Sequence, residues 1–258
     1  MAGSRLRVLG VGTDVSVTAV LHGGAALLGF AFQAILLRNL SKEDAGTYFL
    51  AIAAAMVAGG LADFGIAATI LPRISILSNS SSPTFRAALN LRALSLAISG
   101  ILLFGFLLFT GTTLPTAVGL AAFGSILFSA KGTGIRQLYE LIWRLRGRTY
   151  VVGALSMFDM VLGVIALLVL AWAGELTLLT AALVAGLSGV PTFMASVLPI
   201  HRSLVKSPDW RRPIPRRLYK AILLSSLPIA GLAFLGQLSA QLETLVLDVV
   251  RLGEREIA

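Results

Sequence analysis

The chain has 258 residues, a mean hydropathy of +0.89 and a charged fraction of only 13%. A soluble domain carries about 25% charged residues, so this composition excludes an ordinary soluble protein and indicates one whose solvent is the bilayer. The absence of cysteine from the sequence excludes disulfides and thiolate metal sites. The apolar runs lack the period-two alternation of barrel strands and are long enough for membrane-spanning helices.

Seven hydrophobic segments follow one another along the chain, and each is predicted to form a transmembrane helix. The first begins after Arg5 and Arg7 and lacks the cleavage site of a secretory signal, so we expect it to remain as a span. The predicted fold is an all-α, polytopic transmembrane helical bundle of about seven spans. The segments cover residues 15–38, 45–71, 87–110, 114–132, 150–173, 176–199 and 221–248.

The basic residues lie almost entirely in alternate connections between these segments. Of the 21 lysines and arginines, 17 fall on one side, and the other side keeps only Arg38, Lys42, Arg251 and Arg255. The positive-inside rule then predicts a multi-pass protein of the inner membrane with its N-terminus in the cytoplasm. Because the charge of +9 belongs to this pattern, we expect no nucleic-acid partner.

The end of the first segment resembles the end of the seventh. ILLRNLSKEDAG (35–46) aligns with VLDVVRLGEREIA (246–258) when Leu40 is set against Leu252. Both segments run from inside to outside in the predicted topology, which suggests two six-span halves related by an axis along the membrane normal. We therefore predict a first six-span lobe, a cytoplasmic basic linker and the first span of an incomplete second lobe, over residues 1–200, 201–220 and 221–258.

Two stretches carry a resemblance to a known family. LSKEDAGTYFLAIAAAMVAGGLADFGIAATILPRIS (40–75) combines an acidic turn, a long apolar span and the element Asp63-Phe64-Gly65. LPIAGLAFLGQLSAQLETLVLDVVRLGEREIA (227–258) has Glu243 followed by an apolar run and a second acidic turn. These features resemble the N-terminal portion of the Wzx-type polysaccharide flippases of the MOP superfamily, in which aspartate is usual where Glu243 stands.

The resemblance implies a transporter that moves a polyprenyl-diphosphate-linked oligosaccharide, such as an O-antigen or exopolysaccharide repeat unit, from the inner to the outer leaflet. It implies two six-helix lobes that rock around a shared cavity. The implied partners are the bilayer, the lipid-linked glycan, and the polysaccharide polymerase and glycosyltransferase machinery. Whether H+, Na+ or metabolic pull drives transport stays open, and neither a cofactor nor an enzymatic activity is expected.

Three charged residues are candidates to line a substrate cavity, because a charge at the bilayer centre costs at least ~2.5–3.5 kcal/mol. Asp159 lies near mid-membrane, about 16 Å of helix from the preceding basic loop, and either lines a wet cavity or pairs with another residue. Asp63 lies near the cytoplasmic interface and either gates a cavity or pairs with Arg73 or another base. Arg38 either binds a diphosphate or anchors the end of its helix.

Gln33, Gln237, Glu243 and Lys131 complete the predicted site. Gln33 and Gln237 lie within the first and seventh segments, where interhelical hydrogen bonding is the alternative to a cavity role. Glu243 lies toward the outer end of the seventh. Lys131 and Arg136 flank GTG at the inner end of the fourth segment and either bind a lipid phosphate or only orient the chain. The two histidines are far apart in sequence, so no metal site is expected.

Other functions remain open on the sequence alone. A MATE-like antiporter of cations or small molecules belongs to the same superfamily. A membrane-embedded glycan ligase or polymerase needs acid–base groups and a sizeable outer loop, whereas the predicted outer loops are a few residues long. A truncated membrane protein without transport activity is the last alternative, because one lobe cannot close a two-lobed cavity.

Overall fold

The computed structural model describes residues 2–76, 81–109, 116–128, 134–211 and 213–257, and in these ranges the chain is helical without strands. Six helical stretches are long and apolar enough to cross a membrane, and a shorter apolar helix lies among them, so the prediction of an all-α transmembrane bundle is confirmed. The helices are α1 (Ala2–Asn39), α2 (Lys42–Asp63), α3 (Ile66–Ile76), α4 (Ser81–Phe109), α5 (Thr116–Phe128), α6 (Ile135–Leu145), α7 (Thr149–Trp172), α8 (Leu178–Leu187), α9 (Val190–Val205), the 3-10 turn Pro208–Arg211 and α10 (Arg216–Ile257).

The second predicted segment, residues 45–71, is broken into two helices. α2 ends at Asp63 and α3 begins at Ile66, and between them Phe64 (φ 48°) and Gly65 (φ 60°) adopt the left-handed conformation that ends many helices. A Cβ atom on Gly65 would lie 2.7 Å from the Cβ of Ile229. The missing side chain of Gly65 therefore lets α10 pack directly against the break.

The sixth segment and the predicted linker also differ from expectation. Residues 176–199 form α8 and α9, because a new helix begins after Gly189 with Pro191 in its first turn, where proline is tolerated. Much of the loop 201–220 is helical, since α9 continues to Val205, a 3-10 turn follows and α10 begins at Arg216.

A short helix that the sequence analysis did not predict, α6, connects α5 to α7. One face of α6 buries Leu138, Tyr139 and Leu141, whereas Arg144 is exposed at its end. The buried face belongs to an apolar cluster that α3, α4, α9 and α10 also form, and α6 contacts α7 as well. α6 is therefore an integral part of the bundle, at the end where most of the arginines lie.

Small residues bring the helices of the bundle close together. α5 and α8 approach each other at Gly124 and Gly186, and a Cβ atom on Gly186 would lie only 2.4 Å from the carbonyl oxygen of Ala121. Such contacts stabilise helix pairs in lipid through van der Waals packing. α1 packs along most of α7 but contacts α2 at few positions, which leaves a gap between α1 and α2.

The two motifs aligned in the sequence have different backbones. At SKEDAG, Ser41 is the N-cap of α2, and its hydroxyl accepts a hydrogen bond of 3.1 Å from the backbone N–H of Asp44. At GEREIA, α10 continues as a helix to Ile257. The chain therefore turns at the first motif and remains helical at the second.

Candidate functional site

Arg136 is the centre of a buried polar network that joins four helices. The residue is 1% exposed on α6, and its Nε donates to Oε1 of Glu140 at 2.8 Å. Its Nη1 donates to Oδ2 of Asp159 on α7 at 2.7 Å and to Oγ1 of Thr192 on α9 at 2.9 Å. The same nitrogen lies 3.1 Å from the carbonyl oxygen of Phe128, the last residue of α5. One guanidinium thus links α5, α6, α7 and α9.

The network explains how Asp159 is accommodated inside α7. Asp159 is 1% exposed, and a buried carboxylate is tolerated when it is paired and hydrogen-bonded. Arg136 supplies the opposite charge, and the Thr192 hydroxyl, which accepts from Arg136, donates to the second carboxylate oxygen of Asp159. Of the two alternatives that the sequence left open for Asp159, the structure therefore contains the paired arrangement.

Glu140 is the second carboxylate of this network. It is 3% exposed and forms an ion pair with Arg136, four residues earlier on α6. Burial raises the pKa of Glu140, and this effect outweighs the lowering by Arg136 and Arg144. Among the described residues, two buried carboxylates therefore contact the guanidinium of Arg136.

Asp63 belongs to a separate network at the break between α2 and α3. Its Oδ1 accepts from Nη2 of Arg92 on α4 at 2.5 Å, and that nitrogen also donates to the Gln137 side chain on α6. Nη1 of Arg92 donates to the carbonyl oxygen of Ala62 at 2.9 Å, so Arg92 satisfies a carbonyl at the end of α2 and complements the helix dipole there. The sequence suggested Arg73 or another base as the partner of Asp63, and the partner is Arg92, whereas the guanidinium of Arg73 lies 3.1 Å from the Ser225 hydroxyl.

Of the other predicted site residues, the structure describes the side chains of Arg38 and Gln33 alone, and neither has a described contact with these networks. Arg38 is exposed in the last turn of α1. Lys131 lies outside the described residues, and Gln237 and Glu243 lie on α10 at positions whose side chains are outside the description. Gln33, on α1, lines the cavity described next.

A cavity of about 380 Å³ fills the gap between α1 and α2. Its walls come from α1, α2, α5, α7 and α8, with Ser188 just beyond α8, and they are mainly apolar. Gln33 and Ser125 add polar groups, and no described lining residue is charged. The aromatic part of the lining consists of Phe30, Phe32, Tyr48 and Phe49. The volume lies within the ~300–1,000 Å³ usual for small-molecule sites.

Four residues of these two networks were not predicted from the sequence to form buried ion pairs or hydrogen bonds: Arg92, Arg136, Glu140 and Thr192. One signal was available: in IRQLYELIWRL, Arg136 and Glu140 are four residues apart and share a helix face with apolar residues. Such a pair indicates a partly buried amphipathic helix. No comparable local signal marked Thr192, because its partners lie on other helices. Comparisons with protein-family models, curated proteins and solved structures found no match to this chain.

Proposed function

We propose that this chain functions in membrane transport and flips a lipid-linked oligosaccharide across the inner membrane. The resemblance of residues 40–75 and 227–258 to Wzx-type flippases supports the substrate class. The asymmetric distribution of basic residues supports a cytoplasmic N-terminus.

The observation that carries the proposal is the cavity between α1 and α2. It lies along helices that are apolar enough to cross a membrane, so a bound molecule would be surrounded by the bundle at the level of the lipid chains. The amide of Gln33 can donate to and accept from sugar hydroxyls, while the apolar walls suit isoprene units. A volume of about 380 Å³ accommodates one portion of such a substrate and not the whole glycolipid.

The charged diphosphate of the substrate would be held away from this cavity, which has no charge on its described lining. Exposed arginines at the basic end of the bundle, Arg144, Arg146 and Arg148, provide suitable groups at the level of lipid headgroups. The substrate would therefore contact the protein in two places: part of it in the apolar cavity, and its diphosphate at these exposed arginines.

A second candidate is a small-molecule antiporter of the same superfamily. It is favoured by the aromatic lining of the cavity, because aromatic faces attract organic cations by ~0.5–2 kcal/mol each. The uncharged lining suits a hydrophobic organic cation as well as an isoprene chain. The two candidate functions are therefore distinguished by which substrate accumulates when the protein is absent.

The experiment compares a clean deletion with complemented strains that carry wild-type, Gln33→Ala or Leu37→Ala protein. Leu37 is the matched control, since it lies one turn from Gln33 on α1 and does not line the cavity. We expect the deletion to accumulate polyprenyl-linked oligosaccharide in the inner leaflet. Gln33→Ala should lower transport about 5–30-fold, as expected for the loss of one or two hydrogen bonds of ~1 kcal/mol each.

Normal surface glycan and a normal inner-leaflet pool in the deletion would refute the flippase proposal. Increased sensitivity to organic cations with normal glycan would favour the antiporter instead. Equal activity of the Gln33→Ala and Leu37→Ala proteins would refute the role given to the cavity.

A further inference from the structure

A groove on the outside of the bundle, here called the α7–α8 groove, lies between α7 and α8. Leu162, Ala166 and Leu170 form its α7 side, and Leu183 and Leu187 lie on its α8 side. Its volume is about 480 Å³, and its described lining is apolar apart from two hydroxyl groups. The two leucines of α8 are 40% and 53% exposed, so the groove is open to the surroundings. Both helices belong to stretches that are apolar enough to cross a membrane, so these surroundings are hydrocarbon.

We propose that the α7–α8 groove binds one acyl chain of a bilayer phospholipid whose headgroup carries a primary ammonium group. The groove lies beside the cavity between α1 and α2, and Ser188 contributes to the linings of both. The inference goes beyond the proposed function and does not depend on it, because the bound molecule is a lipid of the surrounding membrane.

The shape of the groove suits a linear hydrocarbon chain. Leu162, Ala166 and Leu170 are four residues apart, so they lie along one face of α7. The small side chain of Ala166 leaves a depression between the two leucines that follows the helix axis. A sugar bound there would leave most of its hydroxyl groups without hydrogen-bond partners, which is unfavourable, whereas a hydrocarbon chain has no such groups.

The position of the groove along α7 matches one leaflet of a bilayer. Trp172 ends α7 and is 92% exposed, as is usual for aromatic residues at the level of lipid headgroups. Leu162 lies about 15 Å of helix before Trp172. Half of a hydrocarbon core of about 30 Å is also about 15 Å. The groove therefore extends from the headgroup level to about the middle of the bilayer, which is the course of one acyl chain.

Glu175 supplies a negative charge at the headgroup end of the groove. Its backbone N–H donates to the carbonyl oxygen of Leu170 at 3.0 Å, and its carbonyl oxygen accepts from the hydroxyl of Thr180 at 3.0 Å. Leu170 and Thr180 both line the groove, so the turn that contains Glu175 lies directly at its end. Glu175 is exposed, and an exposed carboxylate at this level attracts an ammonium headgroup and repels an anionic one.

The other described charges at this end of the bundle do not favour an anionic lipid. Leu178, at the start of α8, packs against the cluster that contains Leu36, so the ends of α1 and α7 lie at the same end of the bundle. The described charged side chains there are two bases and three acids: Arg38, Lys42, Glu43, Asp44 and Glu175. A zwitterionic lipid fits this mixture, because its phosphate and its ammonium group both find opposite charges.

The test is photo-crosslinking of the purified full chain in lipid nanodiscs. The probe is phosphatidylethanolamine with a diazirine in one acyl chain, and the labelled positions are mapped by mass spectrometry of peptides. Leu187 in the groove and Leu102 on α4 are matched, since they are 53% and 56% exposed. We expect Leu187 to be labelled at least about 5-fold more than Leu102, the effect of roughly ten additional carbon–carbon contacts.

Competition by unlabelled lipids identifies the headgroup. Phosphatidylethanolamine should reduce the labelling of Leu187 about 2–5-fold more effectively than phosphatidylglycerol, the preference that one exposed ion pair supplies. Polyprenyl phosphate should also compete less well, because its chain is much longer than the groove. Glu175→Gln should remove the preference for phosphatidylethanolamine. The control Glu43→Gln, which changes an exposed glutamate on α2, should retain it.

A variant that fills the groove tests where the chain binds. Ala166→Phe should lower the labelling of Leu187 to that of Leu102. Ile165→Phe is the matched control, because it adds the same ring to the neighbouring residue, which is 52% exposed and does not line the groove. The labelling of Leu187 should be unchanged in this control.

Three results would overturn the proposal. The first is equal labelling of Leu187 and Leu102, which would indicate only the chance contact of any lipid-exposed residue. The second is labelling of Leu187 that survives Ala166→Phe. The third is competition by phosphatidylglycerol or polyprenyl phosphate that equals or exceeds that of phosphatidylethanolamine.

The comparison of Leu187 with Leu102 and the lipid competition use the wild-type protein, so the test stands even when a variant fails to fold. The assay involves no transport, and its outcome is independent of the experiment on Gln33.

Discussion

Replacing Arg136 with methionine should destabilise the bundle strongly. Methionine has a similar length but no charge, so Glu140 and Asp159 would remain buried after the loss of their ion pairs with Arg136. Removing one partner of a buried ion pair costs about 3–5 kcal/mol, which exceeds the ~1 kcal/mol expected for an ordinary lost hydrogen bond. Because the guanidinium also contacts Phe128 and Thr192, we expect an effect in that range even when one carboxylate takes up a proton.

The assay is the free energy of unfolding in lipid or mild detergent, measured with the matched variant Arg144→Met. Arg144 is on the same helix but exposed, and its replacement should change the free energy by no more than about 0.5 kcal/mol. A double change, Glu140→Gln with Asp159→Asn, added to Arg136→Met should restore most of the loss, because the three charges of these ion pairs are then removed together. If the free energies of unfolding of the Arg136→Met and Arg144→Met variants differed by less than ~1 kcal/mol, the stabilising role of the network would be refuted.

Two further outcomes are expected. Gly186→Ala should lower the free energy of unfolding by about 2 kcal/mol, because the new methyl group meets backbone that cannot move aside. The control Gly23→Ala, where no atom lies within 4 Å of the new methyl group, should leave the free energy of unfolding unchanged or raise it by about 0.5–1 kcal/mol. Equal effects of the two variants would contradict the close contact of α5 and α8. Burial raises the pKa of Tyr139 to about 12, so the folded state disfavours its phenolate. The contribution of Tyr139 to stability is complete below pH ~10 and is lost as the pH rises toward 12. Tyr139→Phe should therefore reduce the alkaline loss of stability in a pH series of unfolding measurements.

Hydropathy and charge predicted most of the fold, since both are local properties of the sequence. A run of apolar residues must form a helix in lipid, because its backbone groups find no other partners there. The breaks were not predictable in the same way. Phe64 has no intrinsic preference for the left-handed conformation, and the end of α2 depends on Arg92 and on the approach of α10 at Gly65.

The candidate site was predictable only in part, because side-chain partners are set by which helices become neighbours. The sequence placed Asp159 in a span and named pairing as one alternative, but its base lies 23 residues away, on a helix that hydropathy alone does not reveal. For Asp63, the sequence suggested Arg73 or another base without deciding between them, and the bundle brings Arg92 of α4 to it. Gln33 was identified as a polar residue within a span, and whether it binds substrate stays a prediction.

The pairing of α1 with α7 has a consequence for the order of assembly during synthesis. α1 ends at Asn39, but its main neighbour begins at Thr149, about 110 residues later. Because the ribosome adds roughly 5–20 residues per second, an interval on the order of 5–20 s separates the synthesis of α1 from that of α7. During this interval α1 has only weak contacts with α2, so it must reside in the lipid as an independent helix. The apolar sequence of α1 suits direct contact with lipid, and only 11% of its membrane-spanning part is buried even in the finished bundle.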